Sequence, residues 1–356
     1  MTASAAPQLP GDVFALEIRE QPAALRRLLE HEAAYASVGR LLAERRPTLI
    51  RLAAHGSSDN AASYGIYAFG LLPGWTSLRD SISLSVYYGA ELDLSGSVVL
   101  ALSQSGRTPD VIEYVERARR RGALTIALTN DPSSELAQAA EATLPLAAGP
   151  ERAIAATKTY VNQLAGLVLL AGHAAERGKQ VADGLRLTAD LLDDAMDELA
   201  ASAAAVAPPF AHIGRMFVIG RGIEFSTARE VALKLTETCR VAASPLTATD
   251  LAHGPIAALD PLFPVWTIAS HGETLGATID AAARVRNAGA LLVASGNAAA
   301  EIEGATYALP VPEAPLPLLA PLLSVVPGQL FAASLARAKG LDADSPIGLS
   351  KVTLAR

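Results

Sequence analysis

Two textures of apolar residue alternate along this chain. Short, predominantly apolar runs without strict alternation fill positions 49–54, 97–102 and 123–128 in the first half and 216–219, 265–268 and 290–294 in the second. Between them, apolar positions recur at helical spacing, as at Val111, Ile112, Val115 and Ala118. Such a run is what a parallel strand covered on both faces needs, and strands alternating with helices mark an α/β protein. The halves repeat each other. Gly56 is matched by Gly220, Gly106 by Gly272 and Gly122 by Gly289, an offset of about 165 residues maintained through strand, loop, helix and strand. The expected fold is α/β, two tandem doubly wound parallel sheets from a duplicated domain, over residues 46–180 and 205–340. Residues 1–45 read as an amphipathic helical lead-in, 172–208 as helices joining the halves, and 341–356 as a tail. Doubly wound sheets bind ligands outside the carboxyl ends of their strands. The loops after Ala54, Leu102, Ile219 and Ile268 are therefore where chemistry is expected.

Composition narrows the class. Of 356 residues, 51% are hydrophobic and 18% charged, too apolar for a disordered chain. A net charge of −7 and the lack of a basic stretch argue against a nucleic-acid partner. The single cysteine, Cys239, forbids an intrachain disulfide and any metal site with two cysteines; it reads as core packing, and a reducing cytoplasm is the expected location. The first eleven residues lack the basic and apolar regions of a signal peptide. The uncharged stretch 314–336 is long enough to raise a membrane question. Pro315, Pro317, Pro321 and Pro327 are expected to break a membrane helix there, and the stretch reads as a buried loop leading into a core helix.

Ser103-Gln104-Ser105-Gly106-Arg107-Thr108 lies between a buried strand and a helix. Three hydroxyls and several backbone N–H groups converge at a helix N-terminus, which suits a phosphate. The same residues would also serve as an ordinary N-cap. Dinucleotide and nucleotide readings lose their main support: Phe225 fills the third glycine's place after Gly220-Arg221-Gly222, and no Walker-type loop occurs. Glu230, Lys234 and Glu237 share a helix face. Such a set is ordinarily a surface ion pair. His253 falls in a turn and reads equally as structural or catalytic, whereas His55, just before the first glycine turn, could cap a strand or touch a ligand, with the structural reading favoured.

In combination these segments resemble the sugar isomerase (SIS) domain family. The likeness is greatest to the isomerase half of glucosamine-6-phosphate synthase and to stand-alone glucosamine-6-phosphate deaminases of the SIS type. It runs from Glu17 to the tail through Gly56-Ser57-Ser58, residues 103–106, 148–151, 156–158, 220–222, 230–237 and 253–255, and ends with Leu349-Ser350-Lys351. The resemblance implies two flavodoxin-like SIS domains and a cytoplasmic enzyme needing neither cofactor nor metal. It implies that Ser58, Ser103, Gln104, Ser105 and Thr108 hold a sugar phosphate. The backbone from Ile154 to Ala156 would line the sugar, with Thr157 beside it. Glu237 would move a proton between C1 and C2. His253 would open the ring, reaching in from the other subunit of a homodimer. Lys351 would contact the open-chain sugar, and Lys234 would position the base and lower the pKa of Lys351.

The lead-in is too short for a glutamine-hydrolysing domain, so glutamine-dependent synthesis is not expected. Arg107 and Ala252 depart from the synthase pattern, as does the tail from Pro346 to Lys351. The second loop has lost its hydroxyls: Ala269 stands for Ser103 and His271 for Ser105, so one phosphate site per chain is expected. The best reading is a glucosamine-6-phosphate deaminase giving fructose 6-phosphate and ammonia. The alternatives are a fructosamine-6-phosphate deglycase and a sugar-phosphate sensor without turnover.

Overall fold

The computed structural model describes residues 9–351. The first sheet comprises β1 (Leu49–Ala53), β2 (Ser77–Arg79), β3 (Ser97–Ser103), β4 (Leu124–Thr129) and β5 (Ala142–Pro145). The second comprises β6 (Arg215–Ile219), β7 (Ala242–Leu246), β8 (Pro264–Ile268), β9 (Leu291–Gly296) and β10 (Tyr307–Pro310). Their orders are β2-β1-β3-β4-β5 and β10-β9-β8-β6-β7, the same winding twice, with every pair parallel. All six apolar runs are strands. β3, β4 and β8 are buried at every residue, as continuous runs require. The strands that gave no such run, β2, β5, β7 and β10, are the sheet edges and are largely half-exposed. An edge strand covered on fewer sides needs fewer apolar residues.

The lead-in forms α1 (Asp12–Arg19), α2 (Gln21–Leu29) and α3 (Glu32–Arg45). The first unit then carries α4 (Gly56–Leu71), α5 (Ile82–Val86), α6 (Pro109–Arg120), α7 (Glu135–Ala139) and α8 (Lys158–Ala174). The joining segment is one 29-residue helix, α9 (Gly178–Val206). The second unit carries α10 (Glu224–Cys239), α11 (Ala248–Ala252), α12 (Leu275–Asn287) and α13 (Ala320–Ala338).

The main core lies between the two sheets. Ile50, Leu52, Val98 and Leu100 of the first face it, as do Met216, Val218, Trp266 and Val293 of the second, with α4, α8, α10 and α13 between. Full burial of each such aliphatic side chain contributes about 1.5–3 kcal/mol. Smaller clusters cover the outer faces under α6 and α12. Cys239 is packed in the main core, its Sγ 3.2 Å from the Ala332 carbonyl oxygen, and burial pushes its thiol up to about 11.

The expectation that prolines interrupt the 314–336 stretch is only half right. Pro315 and Pro317 precede α13, and Pro321 stands in its first turn, where a missing N–H costs nothing. Pro327 lies inside the helix, yet the helix continues to Ala338. Close packing holds it: a Cβ on the adjacent Gly328 would come within 2.3 Å of the Val231 side chain on α10. Residues 317–338 are long and apolar enough to cross a membrane, and 83% of that apolar stretch is buried inside the protein.

Candidate active site

In each sheet the order turns back between its first and third strands, β1 and β3 here, and that crevice is the switch point where doubly wound sheets bind ligands. A cavity of about 830 Å³ opens there. Ser58 from α4 and Ser103, Gln104, Ser105 and Thr108 from the β3–α6 loop line one wall. Ile154 and Ala156 line another, and Glu237 from α10 and Lys351 from the tail complete it. Nine residues expected from the sequence, drawn from both halves and the tail, thus meet at one place.

The hydroxyl loop is built as a cradle. Gly106 has φ 63, and a Cβ there would come within 2.0 Å of the Ser134 hydroxyl, so only glycine fits the turn. The Gly106 N–H donates to Ser103 Oγ at 3.1 Å, and Ser103 Oγ lies 3.3 Å from Thr108 Oγ1. Thr108 occupies the N-cap of α6 without capping it through its side chain. Its hydroxyl points to Ser103 instead, so the ordinary N-cap reading does not account for it. Ser58 Oγ is held by the Gln163 side-chain amide of α8 at 2.8 Å. Arg107 turns away to Asp131 at 3.4 Å and does not line the cavity.

Glu230, Lys234 and Glu237 are not a surface ion pair. The side chains of Glu230 and Lys234 are fully buried, because this face of α10 packs against the start of α4. Lys234 Nζ lies 2.5 Å from Glu237 Oε2 and 3.3 Å from Glu230 Oε1. It also donates to Ser57 Oγ at 3.2 Å. Glu230 accepts from Ser57 Oγ at 2.9 Å and Asn60 Nδ2 at 2.8 Å. Burial raises the pKa of Glu230 despite the neighbouring ammonium. Burial opposes the charge of Lys234, but the two carboxylates outweigh it and hold Lys234 above the ordinary lysine range. Lys234 therefore stands behind Glu237 as a fixed cation, outside the cavity wall.

Lys351 is seated differently from expectation. It donates to Glu151 Oε2 at 3.0 Å and to the Ala153 carbonyl at 2.6 Å, while Lys234 belongs to a separate network. The charge beside Lys351 is thus a carboxylate rather than a second lysine. Glu151 is buried. Burial disfavours its charge, but Lys351 and the donors of Thr157 and Thr159 outweigh this and lower its pKa. The lead-in helps fix this loop. Glu17 accepts from the Arg152 and Ala153 N–H groups at 2.5 and 3.2 Å. Asp344 of the tail accepts from the N–H groups of Gly11, Val13 and Phe14 at the start of α1.

Besides Lys234, two expected residues are not in the wall. Thr157 is fully buried beneath it, its N–H given to Glu151 at 2.9 Å. His253 follows α11, is exposed, and does not line the cavity. Others belong to the site that the sequence reading did not assign. His55, read as structural, lines the cavity with its Nε2 2.7 Å from Asp110 Oδ2. Ser57 and Asp110 also line it, and Glu151 anchors the tail. Glu151 falls within a matched segment and His55 adjoins the glycine turn, but nothing in either position announces its partner.

At the corresponding loop of the second sheet, Ser270 donates to Glu224 at 2.5 Å, and Ser324 donates to the same carboxylate at 2.9 Å. Burial raises the Glu224 pKa despite these bonds. His271 lies outside, between Glu301 and Glu313 at 2.7 and 2.6 Å. Among the described residues no group of three or more His, Cys, Asp or Glu is arranged to hold a metal ion.

A family model for the SIS domain matches residues 48–172 and 210–338. Glutamine--fructose-6-phosphate aminotransferase [isomerizing] from Thermus thermophilus is 32% identical over 349 residues, covering 94% of this chain and 57% of the relative. The chain therefore spans little more than half the length of that relative. Among solved structures, a chain designated a phosphosugar isomerase from Silicibacter pomeroyi is 31% identical. Its TM-score is 0.82, and the match covers 93% of this chain and 99% of that one. The C-terminal domain of glucosamine-fructose-6-phosphate aminotransferase from Francisella tularensis is 25% identical with a TM-score of 0.86, over 94% and 98%. The chain belongs to the SIS domain family and carries two copies of the domain.

Proposed function

We propose that this chain is a cytoplasmic enzyme that interconverts aldose and ketose forms of phosphorylated amino sugars. Its proposed reaction is glucosamine 6-phosphate plus water giving fructose 6-phosphate plus ammonia. One observation carries this reading: the hydroxyl cradle, Glu237 and Lys351 share one cavity. Hydroxyls at a helix N-terminus suit a phosphate, and a carboxylate across the same cavity suits proton abstraction beside a carbonyl. Relatives designated as phosphosugar isomerase and as the aminotransferase domain support the substrate class.

In this reading Ser58, Ser103, Gln104, Ser105 and Thr108 bind the phosphoryl group. Once the ring is open, Glu237 takes the C2 proton of the aldehyde form. The electron pair moves through an enaminol, and C1 is protonated. The resulting C2 imine adds water and expels ammonia. Lys234, ion-paired with Glu237, holds the carboxylate in position, and Lys351, seated on Glu151, contacts the open-chain oxygens. His253, exposed and outside this cavity, would open the ring in the cavity of a second copy of the chain.

Ammonia release and ketose formation over a panel of hexosamine 6-phosphates test the reading. Glu237→Gln should lower turnover by about 10²–10⁴ and abolish exchange of the C2 proton with solvent deuterium, while sugar phosphate still binds. Exchange that persists assigns the base elsewhere. Activity confined to amino-acid adducts of fructose 6-phosphate would make the chain a deglycase, and binding without any turnover would make it a sensor.

A further inference from the structure

We propose that His55, braced by Asp110, is a ligand of the substrate phosphoryl group and binds it as an imidazolium. The inference rests on the phosphate-cradle reading above and adds to it the missing cation. β1 and β3 are neighbours with Ala53 opposite Ala101, so His55 and Ser103 leave the sheet side by side at the switch point. His55 is the N-cap residue of α4 and makes no side-chain cap. Its ring is half-exposed into the cavity, and Nε2 meets Asp110 Oδ2 at 2.7 Å. Asp110 sits in the first turn of α6, its side chain 8% exposed, with Oδ1 taking the Val111 N–H at 2.9 Å.

Charge makes this pair more than structural. A phosphate dianion in the cradle would stand at the same helix end as the buried Asp110 carboxylate. The cradle itself supplies only hydroxyls, an amide and N–H groups. Arg107 is drawn to Asp131, and Lys351 to Glu151. Among the described residues no lysine or arginine pairs with Asp110. With its Nε2 proton given to Asp110, a neutral His55 ring has no proton left on Nδ1. Only the doubly protonated ring can donate to both Asp110 and a phosphoryl oxygen. The other groups facing this corner are few. Asp59 of α4 is near enough to feel the His55 charge, but is neutralised by Arg79 and Arg229. Tyr87 after α5, Glu237 of α10 and Lys351 of the tail line the same cavity.

The test is calorimetric titration with fructose 6-phosphate and with inorganic phosphate at pH 6.5, 7.5 and 8.5, in buffers of different ionisation enthalpy. At pH 7.5 and above the sugar phosphate is already a dianion, its second pKa being about 6. The wild-type chain should take up protons on binding, and its affinity should fall towards pH 8.5. His55→Asn, whose amide can still donate to Asp110, should bind at least about tenfold more weakly at pH 6.5 and take up fewer protons. The gap should close at pH 8.5. Asp110→Asn in the His55→Asn background removes the uncompensated carboxylate charge and should recover affinity, which a merely structural pair would not do. Wild-type affinity in His55→Asn at every pH, or a double variant weaker than His55→Asn, overturns the inference. A wild-type chain that binds neither probe overturns the phosphate-cradle reading and this inference with it.

Discussion

Replacing Lys234 with methionine tests the internal logic of the site most directly. Methionine fills the volume of the lysine stem but leaves Glu230 and Glu237 without their shared cation. The Glu230 side chain is fully buried and that of Glu237 is 21% exposed, so the burden falls on Glu230. Removing one partner of a buried pair costs about 3–5 kcal/mol. The cost has a defined pH dependence. Burial already raises the Glu230 pKa, and the Lys234 ammonium is the strongest influence opposing that rise. Without Lys234 the folded-state value climbs further. A carboxylate that holds its proton in the folded state and has lost it in the unfolded state destabilises the fold increasingly as pH rises. The loss in Lys234→Met should therefore be largest at pH 8 and shrink towards pH 5. Urea unfolding midpoints at both pH values provide the measurement, with Lys234→Met/Glu230→Gln alongside. The double variant should regain most of the loss at pH 8. An equal cost at both pH values, or no recovery in the double variant, would refute the buried network as described.

Two further outcomes follow from the same geometry. Ser103→Ala with Thr108→Ala removes two hydroxyls of the cradle, worth about 1.5–3 kcal/mol each to a charged ligand. KM for the phosphorylated sugar should rise well over tenfold, whereas Ser270→Ala, whose hydroxyl serves Glu224, should leave KM alone and cost about 1 kcal/mol of stability. Mixing exchanging chains of His253→Ala and Glu237→Gln should restore about a quarter of wild-type activity if the histidine acts in a second copy's cavity, because half of random dimers then carry one intact site. A mixture of two inactive variants with demonstrated subunit exchange and no activity would place His253 in its own chain's site, and a His253→Ala chain active by itself would place it outside catalysis.

The sequence alone carried the fold a long way. Parallel strands covered on both faces are apolar along most of their length, so the six central strands and their duplication were legible, as was the hydroxyl loop after β3. The edge strands were not, because partial exposure removes the compositional signal. Pro327 misled for a related reason: a proline's local cost says nothing about the packing that overrides it. Partners distant in sequence were invisible in the same way. Spacing put Glu230, Lys234 and Glu237 on one helix face but could not say that α4 would cover it, turning an ordinary surface triplet into a buried network. Lys351 met Glu151 rather than Lys234, and His55 met Asp110, because the tail's course and the neighbouring of β1 and β3 decide those encounters. Residue type and local order set what each side chain can do; burial and the charge opposite it, which set what it does, come only from tertiary contact.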